Sequence, residues 1–458
     1  YYATKSIEVA PKITSPFNNS SGQTRAALRL ALAYRQLGQF AKSTEWLQKG
    51  LEIAKKIPAG AQKNRFEAIL HNELGVDLLR NGAIEEAINN MSYSLQLVES
   101  ELAQRRRNRS PRENILITMS WVLTIADSLG NAYLSAGNSD QAIDTYQRGL
   151  GHIQQSKITT QLEGSFYRGL GQAFLGKKDF ARAREHLTKA LEIAERARDG
   201  IVIQQASSDL GDLLRLTQKP AEAIPYYKKA IEIIESTRSL LQSEELRSGF
   251  FEDKRQTYTG MIVAHLDEKK VEEAFTYSER ARSRAFLDIL GSKVQLSRSG
   301  SLLEHERALQ ARISVLQAMM GGQEPDSVQT PQLGKELTEA QQDYNDFLVK
   351  VRKENKEQAS LMNVEPLTLK QVQELLAPGV AVLEYFVTAR EVLLWVVEKD
   401  RAHFVNIPIS RTDLVAKVTA LRDTIHQLSE KDRFNNLSQE LYRLLIEPVL
   451  PHIRGKEL

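Results

Sequence analysis

One motif recurs five times between positions 24 and 240, and no other feature of the chain restricts its fold as strongly. The copies are "LALAYRQLGQFAKSTEWLQKGLEIA", "ELGVDLLRNGAIEEAINNMSYSLQLV", "SLGNAYLSAGNSDQAIDTYQRGL", "GLGQAFLGKKDFARAREHLTKALEIA" and "DLGDLLRLTQKPAEAIPYYKKAIEII". In each, a small residue is followed three positions later by an apolar or aromatic one and, four further on, usually by a turn residue. An alanine-like position and a large apolar or aromatic one then follow. The small residues are Ala31, Gly75, Gly130, Gly171 and Gly211, so the differences between them are 44, 55, 41 and 40. A weaker sixth copy, "MIVAHLDEKKVEEAFTYSERARS", puts Ile262 in that role.

This pattern predicts a repeated helical hairpin. A Gly or Ala lets two helices approach closely, and an aromatic such as Tyr34, Tyr133 or Phe174 is expected to fill the gap beside it. Gly38, Gly82 and Gly137 mark the turns, and Ala87, Ala142, Ala183 and Ala223 open the contact face of the second helix. One hairpin alone cannot bury both faces, whereas stacked neighbours can, so the expected architecture is an α-solenoid with an inner groove.

These positions resemble the tetratricopeptide repeat, although a step near 40 exceeds the standard unit of about 34 residues. Longer helices would account for the difference. A two-helix solenoid of the HEAT type is the alternative, and it leaves the fold class unchanged.

Beyond the array the patterning changes. Leu302, Leu309, Ile313, Leu316 and Met320, then Leu333, Leu337, Ala340, Tyr344, Phe347 and Val351, have coiled-coil spacing around the loop "GGQEPDSVQTP", which predicts an antiparallel helical hairpin. Strand-like runs follow in "AVLEYFV", "EVLLWVVEKD" and "RAHFVNIPI", with helix patterns over 411–428 and 437–447. The expected organisation is an irregular N-terminal segment (1–23), a superhelix of about six repeats (24–290), a hairpin linker (291–361) and the beginning of an α/β domain (362–458). The segment 1–23 could lie in the groove as an internal pseudo-ligand or be a disordered leader.

In order, "VEEAFTYSERARSRAFLDIL", "LAPGVAVLEYFVTAREVLLWVVEKD" and "LYRLLIEPVLPHIRGKEL" resemble the approach to a CHAT domain, the caspase-like domain associated with tetratricopeptide repeats. That resemblance implies a continuation past "GKEL" into a parallel sheet bearing catalytic histidine and cysteine. It also implies that 362–458 is the N-terminal part of such a domain. The chain itself contains no cysteine, so a thiolate nucleophile is closed to it and no catalytic residue is assigned. The eight histidines are scattered singly, with no pair at i, i+4, and no glycine-rich phosphate loop is present, so neither a metal nor a cofactor is expected.

Charge is nearly balanced, 61 basic against 58 acidic residues, which gives +3 and no global pull toward nucleic acid or membrane. The longest apolar runs fall short of the roughly 18 residues of a spanning helix, and cytoplasmic localisation is the expectation. The chain starts at Tyr1, so a natural start upstream, with a targeting segment, stays open.

Two sets of residues are binding candidates. The groove positions implied by the tetratricopeptide resemblance are Arg35, Asn72, Asp127, Asn131, Arg168, Gln172, Ser208, Asp212 and Arg215. Polar side chains on a helical wall suit the backbone of an extended peptide, while intramolecular pairing within a solvated groove is the plain alternative. The second set is "QRRRNRSPREN", with Arg105, Arg106, Arg107, Arg109 and Arg112. Five arginines could clamp phosphates or an acidic partner, but no aromatic platform lies nearby for bases to stack on. The reading is therefore a scaffold that recognises a protein or peptide and controls a caspase-like protease core. Its rivals are a fragment of an active cysteine peptidase and an adaptor to a nucleic-acid effector complex.

Overall fold

The computed structural model describes residues 20–36, 38–156, 158, 160–239, 254–293, parts of 305–347, 367–425 and 431–453. The segment 1–19 and most of the 291–361 linker lie outside the described residues. The chain divides into two compact units, Tyr1–Leu213 and Leu214–Leu458.

Paired helices fill the repeat region: α1 (Ser20–Gln36) with α2 (Phe40–Ala54), α3 (Ala61–Arg80) with α4 (Ile84–Arg107), α5 (Arg112–Ser135) with α6 (Ser139–Ser156), and α7 (Leu162–Gly176) with α8 (Phe180–Ala197). Then come α9 (Gly200–Leu216), α10 (Pro220–Ser239), α11 (Arg255–Asp267) and α12 (Val271–Lys293).

Six turns close the first helices in the same way. Gly38, Gly82, Gly137, Lys178, Gln218 and Lys269 all have φ between 59° and 80°, and each stands seven residues after Ala31, Gly75, Gly130, Gly171, Gly211 and Ile262. The next amide donates back across the turn, as Gln39 N to Tyr34 O at 2.9 Å, Asn138 N to Tyr133 O at 2.8 Å and Lys270 N to His265 O at 2.8 Å. This is the Schellman closure, whose left-handed residue favours glycine. Three of the six turns carry a side chain there instead.

The gap at each small residue is filled differently from expectation. At Gly75, Gly130 and Gly171 it is the second helix, four residues after its alanine, that supplies the plug: Met91, Tyr146 and Leu187, all fully buried. A Cβ added at Gly75 would stand 2.6 Å from Met91 Cγ, at Gly130 2.4 Å from the Tyr146 ring, and at Gly171 2.5 Å from Leu187 Cγ. Tyr146 is also pressed from the next repeat, where a Cβ on Gly169 would lie 2.3 Å from the ring. The +3 aromatics serve the Schellman bond and side contacts, as where Phe174 stacks on His186 at 5.2 Å.

The 55-residue step comes from two 24-residue helices, α4 and α5, rather than from a loop. By length and composition α5 could cross a membrane, although it contains no uninterrupted apolar run of that length. Half of that window is buried, with Met119, Val122, Leu123 and Ala126 in one core with α4, α6 and α7.

In the second unit, β1 (Ala381–Val387), β2 (Val392–Glu398) and β3 (Ala402–Ile407) form an antiparallel meander in the order β1-β2-β3. The register pairs Glu384 with Trp395 and Trp395 with Phe404. Every residue of β2 is buried, as its apolar run "VLLWVV" requires of a central strand. Leu393, Trp395 and Val397 join Tyr227, Tyr258, Met261 and Phe275 of α10–α12, along with Leu369 of α13 (Leu369–Leu375), in one core. On the other face, Val392, Leu394 and Val396 pack against Leu414 of α14 (Arg411–Ile425) and Leu441 of α15 (Lys431–Leu445). The helix expected over 437–447 thus starts six residues earlier. The small sheet has no core of its own on the repeat side; it shares one with the last hairpins.

Within the linker, the described residues are helical and pair antiparallel. His305 meets Phe347, Arg312 binds Asp343 at 2.9 Å, and Ile313 and Leu316 cluster with Ala340.

Candidate functional site

The groove residues carried by the first helices prove to be tied to one another across repeats. Arg35, near the end of α1, donates Nε to Asp77 Oδ1 at 2.6 Å and Nη1 to Glu73 Oε2 at 2.5 Å, both on α3. Asp77 is fully buried and Arg35 largely so, which makes this a desolvated ion pair, with Asp77 Oδ2 left without a partner and the Arg35 fork shared with Glu73. Asn72, 4% exposed, reaches Glu73 Oε1 at 3.4 Å and leaves its Oδ1 without a partner.

A second set of bonds ties α7 to α9, beside which Asn131 of α5 is held within its own repeat. Arg168 donates Nε to Asp209 Oδ2 at 2.7 Å and Nη1 to Gln205 Oε1 at 3.1 Å, while Gln172 Nε2 donates to Asp209 Oδ1 at 3.2 Å. Asn131 Nδ2 donates to the Asp127 carbonyl at 2.9 Å, and its Oδ1 accepts the Tyr146 hydroxyl at 3.1 Å. The residue that plugs Gly130 therefore also fixes Asn131. Burial pushes the Asp127 carboxyl up to about 6, with the Arg168 charge opposing. Burial, and then Asp127, also raises the Tyr146 hydroxyl, which stays protonated as a donor.

Ser208 and Asp212 lie one turn apart on α9, Ser208 buried. Arg215, in the last turn of α9, has a buried Nε without a partner, and its charge acts on Asp267, whose carboxyl is raised by burial. It falls beyond the unit that holds the α7–α9 bonds. Sequence reading missed Glu73, Asp77, Gln205 and Asp209, the acceptors that hold the arginines.

The basic segment is partly spent on structure. Arg105 donates Nε to buried Glu101 at 2.7 Å, where Arg65 also binds, and Arg106 reaches Ser156 Oγ at 3.3 Å. Arg105, Arg106 and Arg107 end α4, where cations complement the helix dipole, and Arg112 begins α5. Arg107, Arg109 and Arg112 are exposed. Among the described residues no group of three or more His, Asp or Glu could hold a metal.

A second polar locus joins α12 to the sheet. Where earlier repeats place a large apolar plug, the last has Ser278, fully buried, which donates to Glu384 Oε1 at 2.9 Å; Arg282 binds the same oxygen at 2.8 Å and also pairs with Glu279. Burial, reinforced by the Glu279 charge and opposed by Arg282, pushes the Glu384 carboxyl up to about 8. Arg280 pairs with Glu235 of α10 at 2.5 Å.

Tetratricopeptide-repeat family models match residues 24–57, 125–157 and 162–236. The chain carries tetratricopeptide repeats. A kinesin light chain-related protein of Arabidopsis thaliana is 24% identical over 250 residues, covering 51% of this chain and 38% of that protein, so the match spans well under half of the relative's length. Among solved structures, aspartyl phosphate phosphatase F from Bacillus subtilis gives a TM-score of 0.44 at 14% identity, covering 65% of this chain and 72% of that one. A Signal Transduction ATPase with Numerous Domains protein with a tetratricopeptide repeat sensor, from Pyrococcus horikoshii, gives 0.43 at 19% identity, covering 63% and 41%.

Proposed function

We propose that the repeats are a protein-recognition scaffold in which the wall formed by α5, α7 and α9 receives an extended segment of a partner. The observation that carries this reading is the bonding that fixes the wall's polar side chains, Arg168 and Gln172 of α7 to Gln205 and Asp209 of α9 and Asn131 of α5 to Tyr146 of its own repeat. It holds donors and acceptors of three successive first helices in place before any ligand arrives. Preorganised polar groups bind a peptide backbone without the cost of ordering them. The segment 362–458, which in sequence resembles the start of a CHAT domain, is the part that binding would regulate. Its supporting observation is the shared core of α10–α12 with β2.

The test pans a phage-displayed random dodecapeptide library against the full chain and measures the selected peptides by fluorescence anisotropy. Alanine at Arg168 and Gln172 together is expected to weaken binding at least tenfold with the helical circular dichroism intact. Each buried partner left unpaired costs about 1–3 kcal/mol. Normal binding by that double variant, with binding abolished when Arg105, Arg106, Arg107, Arg109 and Arg112 are neutralised, would overturn the reading in favour of an acidic or nucleic-acid partner.

A further inference from the structure

Within the wall, one acid is left without a cation in contact. Among the described residues, the Asp127 carboxylate receives only Asn131 Nδ2, at 3.4 Å. That amide makes its better bond, 2.9 Å, to the Asp127 backbone carbonyl. Arg168, the cation whose charge acts on Asp127, is committed to Asp209 at 2.7 Å and Gln205 at 3.1 Å. Asp127 is half-buried, so it has lost much of its hydration and keeps an open side. An anion in that position gains most from a charged donor brought by a ligand, which restores the bonds that water no longer supplies.

We propose that the partner's segment bears a lysine or arginine whose side chain docks against Asp127. The inference rests on the wall being the binding surface and specifies what it selects. The burial that holds the Asp127 carboxyl near 6 agrees with a site awaiting a cation, because the incoming charge stabilises the ionised form.

The experiment is a double-mutant cycle on the peptides selected above, using the full chain, Asp127→Asn and, as the charge-conserving control, Asp127→Glu. Selected peptides are expected to share a basic residue whose change to glutamine costs the unmodified chain at least tenfold in affinity. The same change is expected to cost Asp127→Asn less than twofold, while Asp127→Glu keeps most of the dependence. Peptides that lose affinity with the Arg168 and Gln172 alanines, yet show no coupling between a basic residue and Asp127, overturn this inference and leave the wall as the binding surface. Peptides insensitive to all of these substitutions overturn both.

Discussion

Gly130→Ala tests the packing rule on which the whole array rests. In a helix interior this change is ordinarily worth about 1 kcal/mol of stability, because alanine loses less backbone entropy. Here the new Cβ would meet the Tyr146 ring at 2.4 Å. The ring cannot retreat, since Gly169 confines it from the far side, where an added Cβ would stand 2.3 Å away. Its hydroxyl is also bonded to Asn131. Overpacking of this kind costs about 1–3 kcal/mol, so the propensity gain is cancelled and a net loss of up to about 2 kcal/mol remains. For a unit of this size that is a fall of up to about 8 °C in the melting temperature. In a Tyr146→Leu background the obstacle is gone, and the same Gly130→Ala change is expected to stabilise by about 1 kcal/mol. Thermal melts followed by circular dichroism on the four proteins read this inversion of sign. If Gly130→Ala raises the melting temperature to the same extent in both backgrounds, Tyr146 does not fill that gap and the plug assignment is wrong.

Other outcomes follow from the same contacts. Lys178→Gly, Gln218→Gly and Lys269→Gly should each stabilise by about 0.5–1 kcal/mol in urea titrations, because each residue sits at a φ of 59° or 60° that glycine adopts freely. Arg35→Ala, which leaves the fully buried Asp77 unpaired, should cost about 3 kcal/mol, and Arg35→Lys should restore only part of it because lysine lacks the two-pronged geometry. Glu384, raised in the folded state to about 8, contributes stability that is fully present below its unfolded value of about 4.3 and lost as pH rises through about 8. Glu384→Gln should therefore match the unmodified chain near pH 4 and exceed it in stability at pH 9; identical pH–stability curves for the two proteins would contradict the buried position of Glu384.

The repeat register was legible because it is written in residues that little else can replace. A small residue followed seven positions later by a glycine fixes a close helix approach and a left-handed turn at Gly75 and Gly82, or at Gly130 and Gly137. Where the turn residue is Lys178, Gln218 or Lys269, the same backbone is hidden behind an ordinary surface side chain. The strands, too, were readable, since "VLLWVVE" suits a strand covered on both faces. The pairing of the wall was not readable. Arg168 and Asp209 are 41 residues apart, and only the stacking of one repeat on the next decides which turn of α9 meets α7. Two signals at the α12–β1 joint could have been found: an acid, Glu384, within an alternating apolar strand, and Ser278 where other repeats have Met91, Tyr146, Leu187 or Tyr227.

The central claim, that the first-helix wall is the recognition surface, is tested most directly by hydrogen–deuterium exchange of the full chain with and without a library-selected peptide. The expected result is slowed exchange in α5, α7 and α9 around Asn131, Gln172 and Asp209, with α4 and the 105–112 segment unchanged. Protection confined to 105–112 or to the second helices α4, α6 and α8, with the wall unaffected, would contradict it.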